Sequence, residues 1–177
     1  MKPPEEFETN RLRLRPPFLE DAAVIFHQYT QDADVAKHMT WKPHKAISET
    51  NEFLSRCISA WGNRSAFTWV VVRKQDDQLM GMVEMRIDGF KADLGYVLAK
   101  AYWGNGYMTE AVEAVVGWAI KRDEIYRVWA VCDIENRRSA RVMEKVGMQR
   151  ECVLRRWIIH PNISDEPRNC ICYALVK

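Results

Sequence analysis

Ala101-Tyr102-Trp103-Gly104-Asn105-Gly106-Tyr107-Met108-Thr109-Glu110-Ala111 is the stretch whose reading decides the fold. The residues before it, Ala92 to Leu98, read as a β-strand. After it, apolar residues recur at helical spacing through Met108, Ala111, Val115, Trp118 and Ala119. Two glycines therefore stand where a strand ends and an amphipathic helix begins. A helix N-terminus leaves backbone N–H groups unpaired and carries partial positive charge. Glycine there lets a large anion come close to the backbone, so the arrangement suits a phosphate. An ordinary tight turn also uses Gly-x-Gly, and the stretch alone leaves both readings open.

The bulk properties narrow the class. A length of 177 residues is that of one domain, residues 1–177, with a real core. Apolar residues make up 47% and charged residues 28%, the balance of a soluble globular chain. A net charge of +2 is too small to argue for nucleic acid or a membrane surface as partner. No apolar run approaches the roughly 20 residues of a membrane helix. The opening residues, Met1 to Glu6, lack the hydrophobic segment of a signal peptide, so a cytoplasmic protein is expected. The five cysteines (Cys57, Cys132, Cys152, Cys170 and Cys172) are odd in number and show no Cys-x-x-Cys spacing, which argues against a disulfide framework and a zinc site. They are expected to be buried and inert. His27, His38, His44 and His160 are scattered without metal spacing; no metal is expected, and none of the four is assigned a role.

Outward from the glycines, the chain divides into alternating element types. Leu12, Leu14 and Pro16 alternate with Arg11, Arg13 and Arg15 as a short strand. Helical spacing runs from Phe18 to Thr30, with Glu20 and Asp21 in the first turn, and again from Ala33 to Met39. Ser48 is placed to N-cap a helix through Trp61 that turns Phe53, Leu54, Cys57, Ile58 and Trp61 inward, closed by Gly62-Asn63. Three strands follow, Ala66 to Arg73, Leu79 to Ile87 and Lys91 to Leu98, joined by hairpin turns at Gln75–Gln78 and Asp88-Gly89. After the helix of the opening stretch come a strand (Tyr126 to Cys132), a helix (Asn136 to Val146), a strand (Met148 to Ile159), a polar loop (His160 to Glu166) and a last strand (Asn169 to Val176). The pattern is a mixed α/β arrangement.

Three marks in this order carry a resemblance. They are Thr9-Asn10-Arg11-Leu12-Arg13-Leu14-Arg15-Pro16; Leu94-Gly95-Tyr96 followed by Tyr102-Trp103-Gly104-Asn105-Gly106-Tyr107 and Thr109-Glu110-Ala111; and Asn136-Arg137-Arg138-Ser139 followed by Glu144-Lys145-Val146-Gly147-Met148. Over nearly its whole length the chain resembles the GNAT superfamily of N-acetyltransferases, in its RimJ/RimL-like (ribosomal-protein N-acetyltransferase-like) branch. The resemblance implies the GNAT fold: a central, mostly antiparallel sheet with one splayed strand pair, flanked by helices. It implies acetyl-CoA as co-substrate and a primary amine as acceptor, either a protein N-terminus or a small molecule. The amine would attack the thioester directly in a ternary complex. The protein would be a monomer or a homodimer.

The resemblance also distributes roles. Gly104, Asn105, Gly106, Tyr107, Met108 and Thr109 would offer backbone N–H groups to the pyrophosphate. The backbone of Tyr96, Val97 and Leu98 would pair with the pantetheine arm, with an N–H near Tyr96 or Val97 polarising the thioester carbonyl. Gly95 would permit a bulge there, against a close crossing by another chain segment. Asn136 would contact the pantetheine amides, against a plain N-cap role. Ser139 would protonate the leaving thiolate, because the family's tyrosine seven residues after the asparagine is here Met143. Glu84 and Asp93 are the candidate general bases, against surface strand residues. Glu110 is expected to be a solvated acid at a helix start. One of Arg137, Arg138 and Arg141 would meet the 3′-phosphate, against a solvated helix charge. Met108, bulky where small residues are usual, must turn its side chain from the anion or displace it. Two rivals stay open: a non-catalytic acyl-CoA sensor, suggested by Met108 and Met143, and a nucleotide-binding protein. The second lacks a third glycine at Rossmann spacing and a Gly-Lys-Ser/Thr.

Overall fold

The computed structural model describes residues Met1–Lys177. Eight strands form one sheet: β1 (Phe7–Glu8), β2 (Leu12–Arg15), β3 (Phe67–Arg73), β4 (Gln78–Asp88), β5 (Lys91–Leu98), β6 (Arg127–Asp133), β7 (Gln149–Ile158) and β8 (Arg168–Val176). Their order across the sheet is β1-β2-β3-β4-β5-β6-β8-β7, and only β5 and β6 run parallel. This is the mostly antiparallel arrangement that the family resemblance implies. β3 is apolar without alternation because both faces of the sheet are covered there. Trp69 and Val71 enter a core of 24 residues that includes α4 (Tyr107–Ile120) and Met143 of α5 (Arg137–Lys145). Val70 and Val72 enter a second core of ten, shared with α1 (Ala22–Ile25), α2 (Ala33–Ala36) and α3 (Ile47–Asn63).

The feature that makes a site is the short pairing of β5 with β6. It covers only Lys91↔Arg127, Ala92↔Val128 and Asp93↔Trp129. Past Asp93 the two strands separate, while β4 holds β5 as far as Leu98 and β8 holds β6 as far as Asp133. The splayed pair implied by the family resemblance is therefore present. The expected bulge at Gly95 is not: Gly95 pairs in register with Glu84, and a Cβ there would meet no atom within 4 Å. The register break lies one strand earlier, where Val71 pairs with Gly81 and Val72 with Leu79, leaving Met80 as the extra residue. Gly81 is required for a steric reason, since its Cβ would lie 2.2 Å from the Val97 carbonyl oxygen.

Several helix boundaries differ from the sequence reading. The segment from Phe18 to Thr30 is a 3-10 turn (Leu19–Asp21), α1 and a π turn (Phe26–Thr30) in succession. Asp21 does not merely favour a helix dipole. It takes both Arg15 guanidinium nitrogens at 2.8 and 2.7 Å and the Phe18 N–H at 2.8 Å, which tightens the first turn. α2 stops at Ala36, so His38 and Met39 stand in the turn that follows. The N-cap of α3 is Ala46, because the Glu49 carboxylate returns to the Lys45 N–H at 3.2 Å and Ser48 falls inside the first turn. Its inward stripe is Thr50, Leu54 and Cys57, with Phe53 and Trp61 half-buried, and Ile58 falls off that stripe at 39% exposure. Arg64, with φ 63°, closes α3 in place of Gly62-Asn63.

These contacts separate two glycines that look alike in sequence. Gly81→Ala must push β5 off β4 or distort the bulge, and should cost about 1–3 kcal/mol. Gly95→Ala adds a methyl group to open space on extended backbone and should change stability by no more than about 0.5 kcal/mol. Denaturant unfolding of both variants checks this, and equal losses would contradict the placement of the register break.

Candidate active site

The stretch from Trp103 to Glu110 builds the first wall of the site. Gly104 and Gly106 have φ of 79° and 77°, a left-handed conformation that disfavours other residues. Gly106 is the N-cap of α4, and no side chain caps that helix. Consequently none of the N–H groups of Gly104, Asn105, Gly106, Tyr107, Met108 and Thr109 has a partner within the protein. Such a row of free donors at a helix start is an anion site in waiting. The Met108 side chain is buried in the larger core, so its bulk does not face the loop. Asn105 turns its side chain back onto the Tyr102 and Trp103 carbonyls at 3.3 and 3.0 Å. Trp103 does more than fill space: its indole N–H donates to the Leu98 carbonyl at 2.7 Å, tying the end of β5 to the loop.

Glu110 differs from its expected role. It is not a solvated acid; its side chain is 19% exposed. Oε1 accepts from the Thr9 hydroxyl at 2.5 Å and the Arg11 N–H at 2.9 Å, and Oε2 from Arg11 Nε at 2.6 Å. Burial pushes its pKa up, and the bonds from Thr9 and Arg11 more than offset this, so the net shift is downward. Arg11 Nη1 also donates to the Asn105 carbonyl at 3.1 Å, and its guanidinium lies 4.5 Å over the Tyr107 ring. The Thr-x-Arg mark near the N-terminus is thus a clamp on the glycine loop. The pair spans 99 residues of sequence, and no local periodicity could have disclosed it.

The second wall faces the gap between β5 and β6. Asn136 is the N-cap of α5, its side-chain oxygen accepting from the Ser139 N–H at 3.2 Å. The Tyr96 hydroxyl reaches across from β5, donates to the Ser139 carbonyl at 2.9 Å and lies 2.8 Å from Ser139 Oγ. Burial raises the Tyr96 pKa, opposed by its bond to Ser139. From the sequence only the Tyr96 backbone is assigned a role; its hydroxyl meets Ser139 because α5 folds against the splayed strand. Met143 is 0% exposed in the core and takes no part in the cleft surface.

One cleft of about 840 Å³ collects most of the sequence-derived candidates. Tyr96, Val97, Leu98, Gly104, Gly106, Tyr107, Met108, Thr109, Asn136 and Ser139 all line it. Asn105 does not. Arg137, Arg138, Arg141 and Lys145 add a basic wall, with Arg138 stacked 4.5 Å over the Trp103 ring. Glu84 and Asp93 also stand outside the lining. They share Arg86, which bonds Glu84 Oε1 at 2.7 Å and Asp93 Oδ2 at 2.9 Å, and Thr68 bonds the other Glu84 oxygen at 3.0 Å. Both carboxylates are thus engaged by one guanidinium, away from the cleft surface. Four cysteines are buried with raised pKa values, Cys57 and Cys170 to about 11 and Cys132 to about 12, chiefly by desolvation; Cys152 is exposed.

Known proteins place this geometry. The acetyltransferase (GNAT) domain family matches residues 11–149, from the Arg11 clamp through α5. An uncharacterized N-acetyltransferase of Bacillus licheniformis, p20, is 29% identical over 156 residues, 85% of this chain and 86% of its own. The solved GNAT-family acetyltransferase of Bacillus anthracis superposes with a TM-score of 0.84 at 27% identity, covering 97% of this chain and 98% of that one. The fold is shared as well with RimL, a ribosomal L7/L12 α-N-protein acetyltransferase solved with coenzyme A, at a TM-score of 0.86 and 17% identity over 97% and 98% of the chains. A parted strand pair, a glycine loop of free amides and a family match spanning both lead to one assignment: the chain belongs to the GNAT family and is an acetyl-CoA-dependent N-acetyltransferase.

Proposed function

We propose that residues 1–177 act as one domain that transfers acetyl from acetyl-CoA to a primary amine, a protein N-terminus or a small-molecule amine, by direct attack in a ternary complex. The pyrophosphate lies on the N–H groups of residues 104–109, with the basic wall of α5 beside it. The pantetheine follows the free edge of β5 at Tyr96, Val97 and Leu98 as an added strand would. A backbone N–H near Tyr96 or Val97 polarises the thioester carbonyl. Asn136, besides capping α5, has its amide NH₂ available for the pantetheine. The acceptor enters between the segment from Phe18 to Trp61 and the loop from His160 to Glu166. Asn162 of that loop binds the Ala36 and Trp41 carbonyls at 2.7 and 2.8 Å, which supports these two segments forming one rim. The cytoplasm, where acetyl-CoA and free amines meet, is the proposed site of action.

The observation that carries this reading is the Tyr96–Ser139 contact beside an unpaired strand edge. It gives the departing sulfur a hydroxyl neighbour at the place where Met143 supplies none. Ser139 passes its proton to the thiolate, and the Tyr96 hydroxyl supports the serine. A thiol with a pKa of roughly 8.5 needs only modest assistance to leave.

Two variants test the donor half. Asn tolerates the left-handed conformation, so Gly106→Asn should fold; yet its side chain caps the α4 amides and competes with phosphate. Acetyl-CoA affinity by calorimetry should fall at least about tenfold, roughly 1.4 kcal/mol. Unchanged affinity would move the pyrophosphate elsewhere. Ser139→Ala should lower kcat by about 10²-fold while acetyl-CoA affinity stays near that of the unchanged protein. An unchanged kcat would remove Ser139 from the proton path.

A further inference from the structure

Beyond the glycine loop, the cleft has a third wall whose chemistry the sequence reading left unused. Asp133 ends β6 beside the Asn136 turn, and its side chain is 0% exposed. It accepts from Arg168 Nε at 2.6 Å, Arg168 Nη2 at 3.2 Å and the Glu135 N–H at 2.9 Å. Two histidines turn toward the same carboxylate: His38 Nδ1 is 3.9 Å from Oδ1 and His160 Nε2 is 3.9 Å from Oδ2. Their rings meet edge to face at 6.2 Å. His38 Nδ1 and both nitrogens of His160 are buried without a hydrogen-bond partner. Buried imidazole nitrogens normally have one, so this group calls for a reason.

His38 differs from His160 in lining the cleft together with Tyr96, Asn136 and Ser139. With Nδ1 buried against Asp133, Nε2 is the nitrogen that meets the cavity. The turn that carries His38 is fixed by Asn162 through the Ala36 and Trp41 carbonyls on either side of it. Glu84 and Asp93, the other candidates for a base, are held by Arg86 outside the cleft.

We propose that His38 is the general base of the transfer, its Nε2 receiving the proton of the acceptor ammonium, with Asp133 behind Nδ1 as positioning residue. This rests on the reading above, that a primary amine enters the cleft. His38 Nε2 takes one proton from R–NH₃⁺. The amine nitrogen then forms its bond to the thioester carbonyl carbon, the C–S bond breaks, and the sulfur leaves with the electron pair. The second nitrogen proton is lost from the adduct and reaches the thiolate through Ser139, giving amide and thiol; His38 returns its proton to solvent. The Asp133 charge, 3.9 Å from Nδ1, favours hydrogen on that nitrogen and stabilises the imidazolium when it forms.

The charged surroundings of His38 are Asp133 and Glu135 at the end of β6, His160 in the loop after β7, and Lys37 beside it. Burial lowers its pKa, with Lys37 and His160 adding to the fall and Asp133 and Glu135 opposing it, so the net shift is downward and favours the neutral ring. The acid limb of kcat/KM should therefore be displaced downward from that of an ordinary imidazole, with the rate rising as His38 loses its proton.

The test uses the full chain and the His38→Gln variant. Imidazole ¹⁵N spectra identify His38 as the signal absent from the variant. A neutral ring at pH 7 with hydrogen on Nδ1 is expected; hydrogen on Nε2, or a cationic ring, overturns the proposal whatever the acceptor is. With a panel of free α-amine peptides and small amines, the variant should lose about 10²-fold in kcat and the acid limb, with acetyl-CoA affinity unchanged. A variant that keeps kcat and the limb also overturns it. If the unaltered protein acetylates no amine while binding acetyl-CoA, the acceptor reading fails, and the tautomer still decides the assignment of His38.

Discussion

The constraint on which the rest depends is that β5 and β6 pair for three residues and then part. Each strand is secured on its other edge, β5 by β4 to Leu98 and β6 by β8 to Asp133, so the gap requires no loss of order in the sheet. α4 leaves the end of β5 and returns to β6 with its uncapped N-terminus at the mouth of the gap. α5 starts where β6 ends and brings Ser139 against Tyr96 across the opening. One interruption in pairing thus produces a free strand edge, a row of amide donors and a facing hydroxyl. Gly81, the bulge beside it and the Trp103 bond to Leu98 fix the path of β5 there.

The loop that begins α4 is held from a distance. Thr9 and Arg11 grip Glu110, and Arg11 also binds the Asn105 carbonyl. A partly exposed ion pair of this kind contributes little to stability, about 0–1 kcal/mol. Its consequence is geometric. Two left-handed glycines give a flexible loop, and a clamp on both sides of Gly106 keeps the amides of residues 104–109 aimed at one place before any anion arrives. Pre-organisation of this sort places the N-terminal strand within the function of the site, although none of it lines the cleft.

Local patterns and the family marks made much of this legible. The strand–glycine–helix boundary at Leu98–Tyr107, the three-strand meander and the splayed pair were all within reach of periodicity, turn residues and resemblance. What escaped depends on long-range contacts. Gly81 and Gly95 are both strand glycines in the sequence; only the crossing of Val97 tells them apart. Glu110 reads as a solvated acid until β2 lies beside α4. Glu84 and Asp93 read as free carboxylates until the β4–β5 register brings Arg86 between them. Tyr96 offered its backbone to the sequence reading and its hydroxyl to the folded cleft. His38, His160 and Asp133 lie at separations of 95, 122 and 27 residues, with no spacing to connect them.

The division of labour is accordingly spatial. In the proposed reading, residues 104–109 and the β5 edge would hold the donor, Tyr96 and Ser139 would face the leaving sulfur, and the turn after α2 with Asp133 would take the acceptor's proton. The central claim is that the donor occupies the gap between β5 and β6. A crystal structure of the protein with coenzyme A tests it most directly. The account predicts pyrophosphate oxygens within hydrogen-bond distance of the amides of residues 104–109, pantetheine amides paired with the β5 backbone at Tyr96 to Leu98, and the sulfur beside Ser139. Coenzyme A bound outside the gap, with the β5 edge unpaired, would contradict it.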